Sequence, residues 1–153
     1  MSSSARKVQE ALTVLGVSCK VHELPSSTRS AADAANSIGC SVSQIVKSLV
    51  FRTVNTDRAI LALVSGSNKV NEAKLGEQIN EPIGKADADF VREKTGFAIG
   101  GIPPVGHLER LTTLFDKDLL NFPEVWAAAG TPHAVFQINP HELLKITKAS
   151  ILA

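Results

Sequence analysis

The sequence predicts a single α/β domain of the mixed α+β kind, a mixed sheet with flanking helices, and three observations carry that prediction. Apolar segments of strand length, roughly six or seven of them, are bounded by Gly, Pro, Asn and Ser turn residues. About five or six helical segments with recognisable caps are interleaved with them. The order never settles into regular strand–helix–strand alternation, which disfavours a doubly wound parallel sheet. The 153 residues suffice for one hydrophobic core and show no linker, internal repeat or low-complexity stretch, so residues 1–153 are expected to form one domain.

The first helix is expected from about Ser4 to Leu15, because Val8, Ala11, Leu12 and Leu15 share a face and Gly16 suits a helix end. Val17, Cys19 and Val21 then alternate with Ser18, Lys20 and His22, the pattern of a half-buried strand. After the Pro25-Ser26-Ser27 loop, Ser30 and Asp33 have capping-box-like spacing ahead of a short helix, Ala31 to Ile38, closed by Gly39. Ser41 to Ile45 supplies one more turn before an apolar strand that runs to Phe51. Asn55-Thr56-Asp57 makes a hairpin turn into a second strand, Ala59 to Val64.

Ser65 to Lys69 breaks that strand, and Asn71 caps a helix to about Ile79. Ala86 to Lys94 predicts a helix ending at Gly96, and Phe97-Ala98-Ile99 a short strand that feeds a glycine–proline loop. Leu111 to Phe115, Glu124 to Ala129 and Ala134 to Ile138 read as strands. The last helix has the clearest start, with Asn139 as cap, Pro140 in first position and Glu142 in third. It runs to about Thr147, and Ile151-Leu152 suits a final strand.

Bulk properties exclude several function classes. A formal charge of +1 lacks the basic excess by which proteins grip long duplexes, so no DNA partner is expected. Tyr is absent and aromatic residues make up 5%, a poor basis for a base-stacking platform. No apolar run reaches the roughly 18 residues of a membrane span, and the Ser-rich N-terminus has no signal-peptide core. Cys19 and Cys40 form neither a CxxC pair nor a disulfide framework, so a reduced, cytoplasmic protein without membrane partners is expected.

Lys47 is the most informative residue. It lies inside Ile45-Val46-Lys47-Ser48-Leu49-Val50-Phe51, where alternation puts Lys47, Leu49 and Phe51 on one face of a strand. Two readings fit it: a lysine that snorkels to solvent or guards a sheet edge, or an ammonium group met by an anionic ligand. Further on, Gly100-Gly101-Ile102-Pro103-Pro104-Val105-Gly106-His107 combines glycines that let the backbone approach a ligand with prolines that stiffen the loop. Its N–H groups could stabilise an oxyanion, although a plain tight turn is the alternative reading. A second turn, Gly130-Thr131-Pro132-His133, adds a histidine.

Other chemistries find no anchor. GxxxxGK[ST], GxGxxG and GxSxG are absent. His22, His107, His133 and His141 show no HxH or HExxH spacing, so no metal site and no cofactor is expected. His141, in the first turn of the last helix, reads as a surface residue. Cys40, just past a helix-ending glycine, is a minor candidate nucleophile, and Cys19 reads as core.

Gln44 to Phe51, Gly100 to His107 and Ala129 to His133 together resemble the YbaK/ProX family of aminoacyl-tRNA deacylases. That family is similar to the editing insertion domain of bacterial prolyl-tRNA synthetases. Thr28 to Ala35 also resembles the family's early helix, and the similarity runs in order from about Val8 to Ile146. The resemblance implies a barrel-like central sheet. It also implies hydrolysis of a mischarged tRNA, most directly tRNA-Pro carrying a small non-cognate amino acid. A second sieve of that kind is needed because a synthetase pocket separates ligands differing by one methylene by only about 1–3 kcal/mol.

Carried over position by position, Lys47 matches the family's essential lysine, with the job of holding the terminal nucleotide. Gly100, Gly101, Ile102, Pro103 and Pro104 match its GxxxP loop, which would hold the aminoacyl group and position the ester. His133 matches the turn that shapes the amino-acid pocket. The implied chemistry is metal-free attack by water, assisted by the substrate's ribose hydroxyl. The implied partners are an aminoacylated tRNA acceptor end and, transiently, prolyl-tRNA synthetase or an elongation factor. The Pro-Pro loop and the Thr-Pro-His turn are positions where subgroups of the family are expected to differ. A non-catalytic module that binds the tRNA acceptor end, or a regulatory partner with the same fold, is the alternative from another class. Hydrolysis of a small ester unrelated to tRNA is a third.

Overall fold

A computed structural model describes residues 1–153 and contains five α-helices and one eight-stranded mixed sheet. Helix α1 (Ser3–Val14) buries Ala5, Val8 and Leu12; of the expected face Val8 and Leu12 are in the core, Ala11 is half-buried, and Leu15, just past the helix end, is exposed. Strand β1 (Val21–Glu23) is shorter than the alternation of residues 17–22 suggests. The reason lies on α1: Gln9 donates from Nε2 to the Cys19 carbonyl at 3.1 Å and accepts from the Val21 N–H at 2.8 Å. A side chain thereby satisfies the backbone groups that a ladder would have used.

Helix α2 (Ala31–Ile38) starts where its cap predicts, with Ser30 Oγ accepting from the Asp33 N–H, and ends at left-handed Gly39. A 3₁₀ turn (Val42–Gln44) then delivers the chain to β2 (Ile45–Thr53), which turns back into β3 (Ala59–Ser65). Helix α3 (Glu72–Ile79) is capped by Asn71. Strand β4 (Ile83–Lys85) has no counterpart in the sequence reading, because three residues after Pro82 with a central glycine carry no alternation to detect. Helix α4 (Ala88–Thr95) is capped by Asp87 and stops at left-handed Gly96.

Residues 97–99 do not form the expected strand. Thr95 Oγ1 accepts from the Phe97 N–H at 3.0 Å, Phe97 turns into the core, and the Ala98 carbonyl accepts from Gly101 N. The chain therefore bends where its apolar residues suggested extension. Strand β5 (Thr112–Phe115), a 3₁₀ turn (Lys117–Asn121), β6 (Val125–Ala128), β7 (Ala134–Ile138), α5 (Pro140–Thr147) and β8 (Ser150–Ile151) complete the chain. Asn139 Oδ1 accepts from the N–H groups of His141 and Glu142, so α5 begins as its residues predict.

The sheet order is β1-β7-β6-β2-β3-β5-β8, with β4 also on β2. β3 is central, and all seven of its residues are buried. The parallel pairs are β2 with β6, β3 with β5 and β5 with β8; the others are antiparallel. β2 matters most for the site. One edge pairs with β3 from Val46 to Arg52; the other is shared by β6 at Ile45 and Val46 and by β4 at Phe51 to Thr53. Residues 47–50 thus have no strand beside them on that edge. The main core packs α1, β3, β5, β6 and β7 around Phe97, Phe115 and Phe136.

Candidate active site

The unpaired edge of β2 opens onto a cavity of about 430 Å³. Its walls come from Thr28 to Ala31 and α2, from residues 45–49 of β2, from the start of the glycine–proline loop, and from β6 and β7. Most of the lining is apolar, and its two charged side chains, Arg29 and Lys47, are both cationic. Apolar walls with a few placed polar groups are what a small-ligand site requires. Alternation alone would send Lys47 and Ser48 to opposite faces. Both line the cavity because the strand presents its free edge there.

Lys47 Nζ donates to the main-chain carbonyl of Asn68. Desolvation pushes the ammonium pKa below its ordinary value; Lys69 adds to that and Asp116 opposes it. Beside it, Ser48 Oγ is shielded from solvent and has no hydrogen-bond partner. It is a buried polar group left without a partner, at a residue that borders the cavity.

The glycine–proline loop meets the cavity at Gly100 and Ile102. Gly100 has φ 103°, open to glycine and costly for other residues. Its N–H and that of Ile102 donate to no acceptor within the protein, whereas the Gly101 N–H is used by the Ala98 carbonyl. Gly101 sits against the second turn: a Cβ there would lie 2.6–2.7 Å from Thr131 backbone atoms. Its carbonyl accepts from Gly130 N at 2.9 Å, so the two turns are clasped main chain to main chain.

The second turn is held from the other side as well. The Pro132 carbonyl accepts from Thr28 Oγ1 at 2.7 Å, and the His133 carbonyl accepts from Leu24 N. Behind the loop, His107 Nε2 donates to the Pro103 carbonyl at 2.7 Å, which fixes the tautomer because a carbonyl can only accept. The ring meets Phe97 edge-on with centroids 6.3 Å apart. Burial pushes its pKa below the ordinary imidazole value, and the bond to Pro103 partly offsets that.

Of the residues singled out from sequence, Lys47, Gly100 and Ile102 line the cavity together. Gly101, Pro103 and Pro104 frame the loop without lining it, and Pro104 faces a separate pocket beside Arg110 and Lys148. The exposed His133 stands on the turn clasped to that loop and is not in the cavity lining. Sequence reasoning passed over Arg29, Ser48 and Trp126, all at the wall. Ser48 adjoins Lys47 and Arg29 precedes the cap of α2, but nothing in their own neighbourhoods marks them. No group of three or more His, Cys, Asp or Glu residues is arranged to hold a metal ion.

Known proteins are similar to this chain in sequence and in fold. The family model described as "Aminoacyl-tRNA editing domain" matches residues 25–146. A solved structure described as a candidate trans-editing enzyme for prolyl-tRNA synthetase superposes with a TM-score of 0.93 at 51% identity, covering 99% of this chain and 96% of that one. The protein YwhH of Bacillus subtilis (strain 168), of uncharacterised function, is 30% identical over 131 residues, 86% of this chain and 83% of its own. A proline–tRNA ligase of Lactobacillus gasseri is 36% identical over 64 residues, 41% of this chain and 11% of the ligase.

Proposed function

Because the chain belongs to the aminoacyl-tRNA editing domain family, we propose that it is a deacylase acting in trans on mischarged tRNA, with tRNA-Pro bearing a small non-cognate amino acid as substrate. The observation that carries the reading is the meeting, in one mostly apolar cavity, of Lys47 with the unused N–H groups of Gly100 and Ile102. Lys47 and Arg29 supply positive charge for the phosphate and sugar of the terminal nucleotide. The apolar wall takes the side chain of the amino acid. The N–H groups of Gly100 and Ile102 receive the carbonyl oxygen as it gains negative charge.

Water attacks the ester carbonyl carbon, the bond to the ribose oxygen breaks, and the ribose oxygen takes the proton. The neighbouring ribose hydroxyl serves as the proton carrier, in keeping with a cavity whose lining contains no His, Asp, Glu or Cys. Gly101, Pro103 and Pro104 keep the loop in shape, and His133 tunes the pocket through the turn clasped to it. The partners under this reading are the aminoacylated acceptor end and, in passing, prolyl-tRNA synthetase or an elongation factor, in the cytoplasm. No helix is long and apolar enough to cross a membrane.

The test is deacylation of tRNA-Pro charged with alanine, cysteine, serine, 2-aminobutyrate or proline, with and without a chelator. Release of one or two non-cognate residues at equal rates in both conditions, with prolyl-tRNA spared, is the expected result. Binding of the tRNA without any release would replace the enzyme by a binding module.

A further inference from the structure

The carbonyl that holds Lys47 belongs to a residue that is itself gripped from behind. Asn68 follows β3 in the turn Ser65-Gly66-Ser67-Asn68, closed by the Asn68 N–H on the Ser65 carbonyl at 2.9 Å. Its side-chain Nδ2 donates to Asp116 Oδ2 at 2.9 Å and to Asp118 Oδ2 at 2.8 Å. Asp116 is buried at the end of β5, where Oδ2 also accepts from the Ser65 N–H at 3.0 Å and Oδ1 from the Asp118 N–H at 3.0 Å. Every acceptor role of that carboxylate is directed at the turn that carries Asn68 or at the start of the following 3₁₀ turn. Neither Asn68 nor Asp116 lines the cavity.

A buried carboxylate needs such donors, and its own cap role explains part of the arrangement. Capping alone would leave Oδ1 sufficient. The second oxygen instead joins β3, β5 and the turn through the side-chain amide of Asn68, the residue whose main-chain carbonyl meets the ammonium of Lys47. We propose that Asn68 and Asp116 are positioning residues for Lys47: the carboxylate holds the Asn68 side-chain amide and the turn that carries it, and the main-chain carbonyl of the residue so held fixes where the ammonium can sit in the cavity. The charge sign fits, since Asp116 also opposes the loss of the Lys47 proton that desolvation and Lys69 favour. Asp118 shares the Asn68 side-chain amide, and Arg29 is the other charged residue lining the cavity.

The proposal rests on Lys47 holding substrate for its consequence in catalysis, but its physical core is measurable without substrate. In full-length protein labelled with ¹³C-lysine, the Lys47 Cε signal is assigned by its disappearance in Lys47→Arg. Asn68→Ala should broaden or shift that signal, and Asp116→Asn should make it titrate at lower pH. Kd is then measured for a non-hydrolysable 3′-amide analogue of alanyl-adenosine. Asn68→Ala should weaken it by about 10- to 100-fold in the wild-type background and not at all in the Lys47→Ala background.

Asn68→Ala retains the carbonyl and the carboxylate, so it serves if Asp116→Asn fails to fold. An unchanged Lys47 signal in Asn68→Ala, or an equal loss of affinity with and without Lys47, would overturn the proposal. If the signal responds while Lys47→Ala keeps full deacylation, the positioning stands and the role of Lys47 in the reaction falls.

Discussion

Lys47 shows the conflict between burial and charge at its sharpest. Its ammonium stands among apolar walls with one carbonyl as acceptor and Lys69 nearby, and desolvation favours the neutral form. A side chain held under those terms serves a ligand better than it serves the fold. Lys47→Ala is therefore expected to abolish deacylation while leaving the melting temperature equal or higher, as thermal unfolding and a charged-tRNA assay together would read. Ser48 carries a smaller version of the same conflict, a shielded hydroxyl with no partner. Ser48→Ala should keep or raise stability, by up to about 1–3 kcal/mol in urea unfolding. A clear loss of stability would mean that the hydroxyl is satisfied in the folded protein.

At the scale of elements, the glycine–proline loop works as one of two clasped turns. Gly101 has no room for a side chain, since backbone atoms of Thr131 occupy the place a Cβ would take. Gly101→Ala should force the turns apart, at a cost of about 1–3 kcal/mol, and should depress kcat more than thermal stability suggests. His107 wedges the loop from behind, and its depressed pKa has a definite sign for stability. The neutral ring is the form the fold prefers, so its contribution is complete above the ordinary imidazole value near 6.5 and is lost as the pH falls through the lower folded value. His107→Gln should flatten that part of the stability–pH curve, measured by unfolding between about pH 7.5 and 5.

These element-scale features were legible to different degrees. The caps Ser30, Asn71 and Asn139 and the helix-ending Gly39 and Gly96 act locally, so their helices begin and end where the residues say. Phe97-Ala98-Ile99 reads as a strand only if Thr95 is ignored; its hydroxyl and the demand of the core for Phe97 turn the chain instead. β4 owes its existence to an edge that β2 offers, which no property of Ile83-Gly84-Lys85 announces.

For the whole molecule, the sheet order decides what the cavity is. β3 lies buried between β2 and β5 and anchors both, and Leu61 is fully enclosed in the main core. Leu61→Ala should cost about 2–5 kcal/mol in denaturant unfolding, with loss of activity only as the protein unfolds. By itself the sequence determined the mixed α/β class, the capped ends of most helices (α4 starts at Ala88 behind Asp87, two residues past the expected Ala86) and the candidacy of Lys47 and the glycine–proline loop. Each follows from residues within a few positions of one another, where caps, periodicity and glycine conformations act.

Only the tertiary structure decided that β2 shares one edge between β6 and β4, leaving residues 47–50 unpaired there and residues 47–49 at a cavity wall. It alone brought Arg29, Ser48 and Trp126 to that wall, and Asp116 behind Asn68. The physical reason is that strand pairing and the burial of polar groups are settled between segments that can lie more than a hundred residues apart, as Val21 and Phe136 do. The sites they create belong to the packing of those segments, and no one segment carries their pattern.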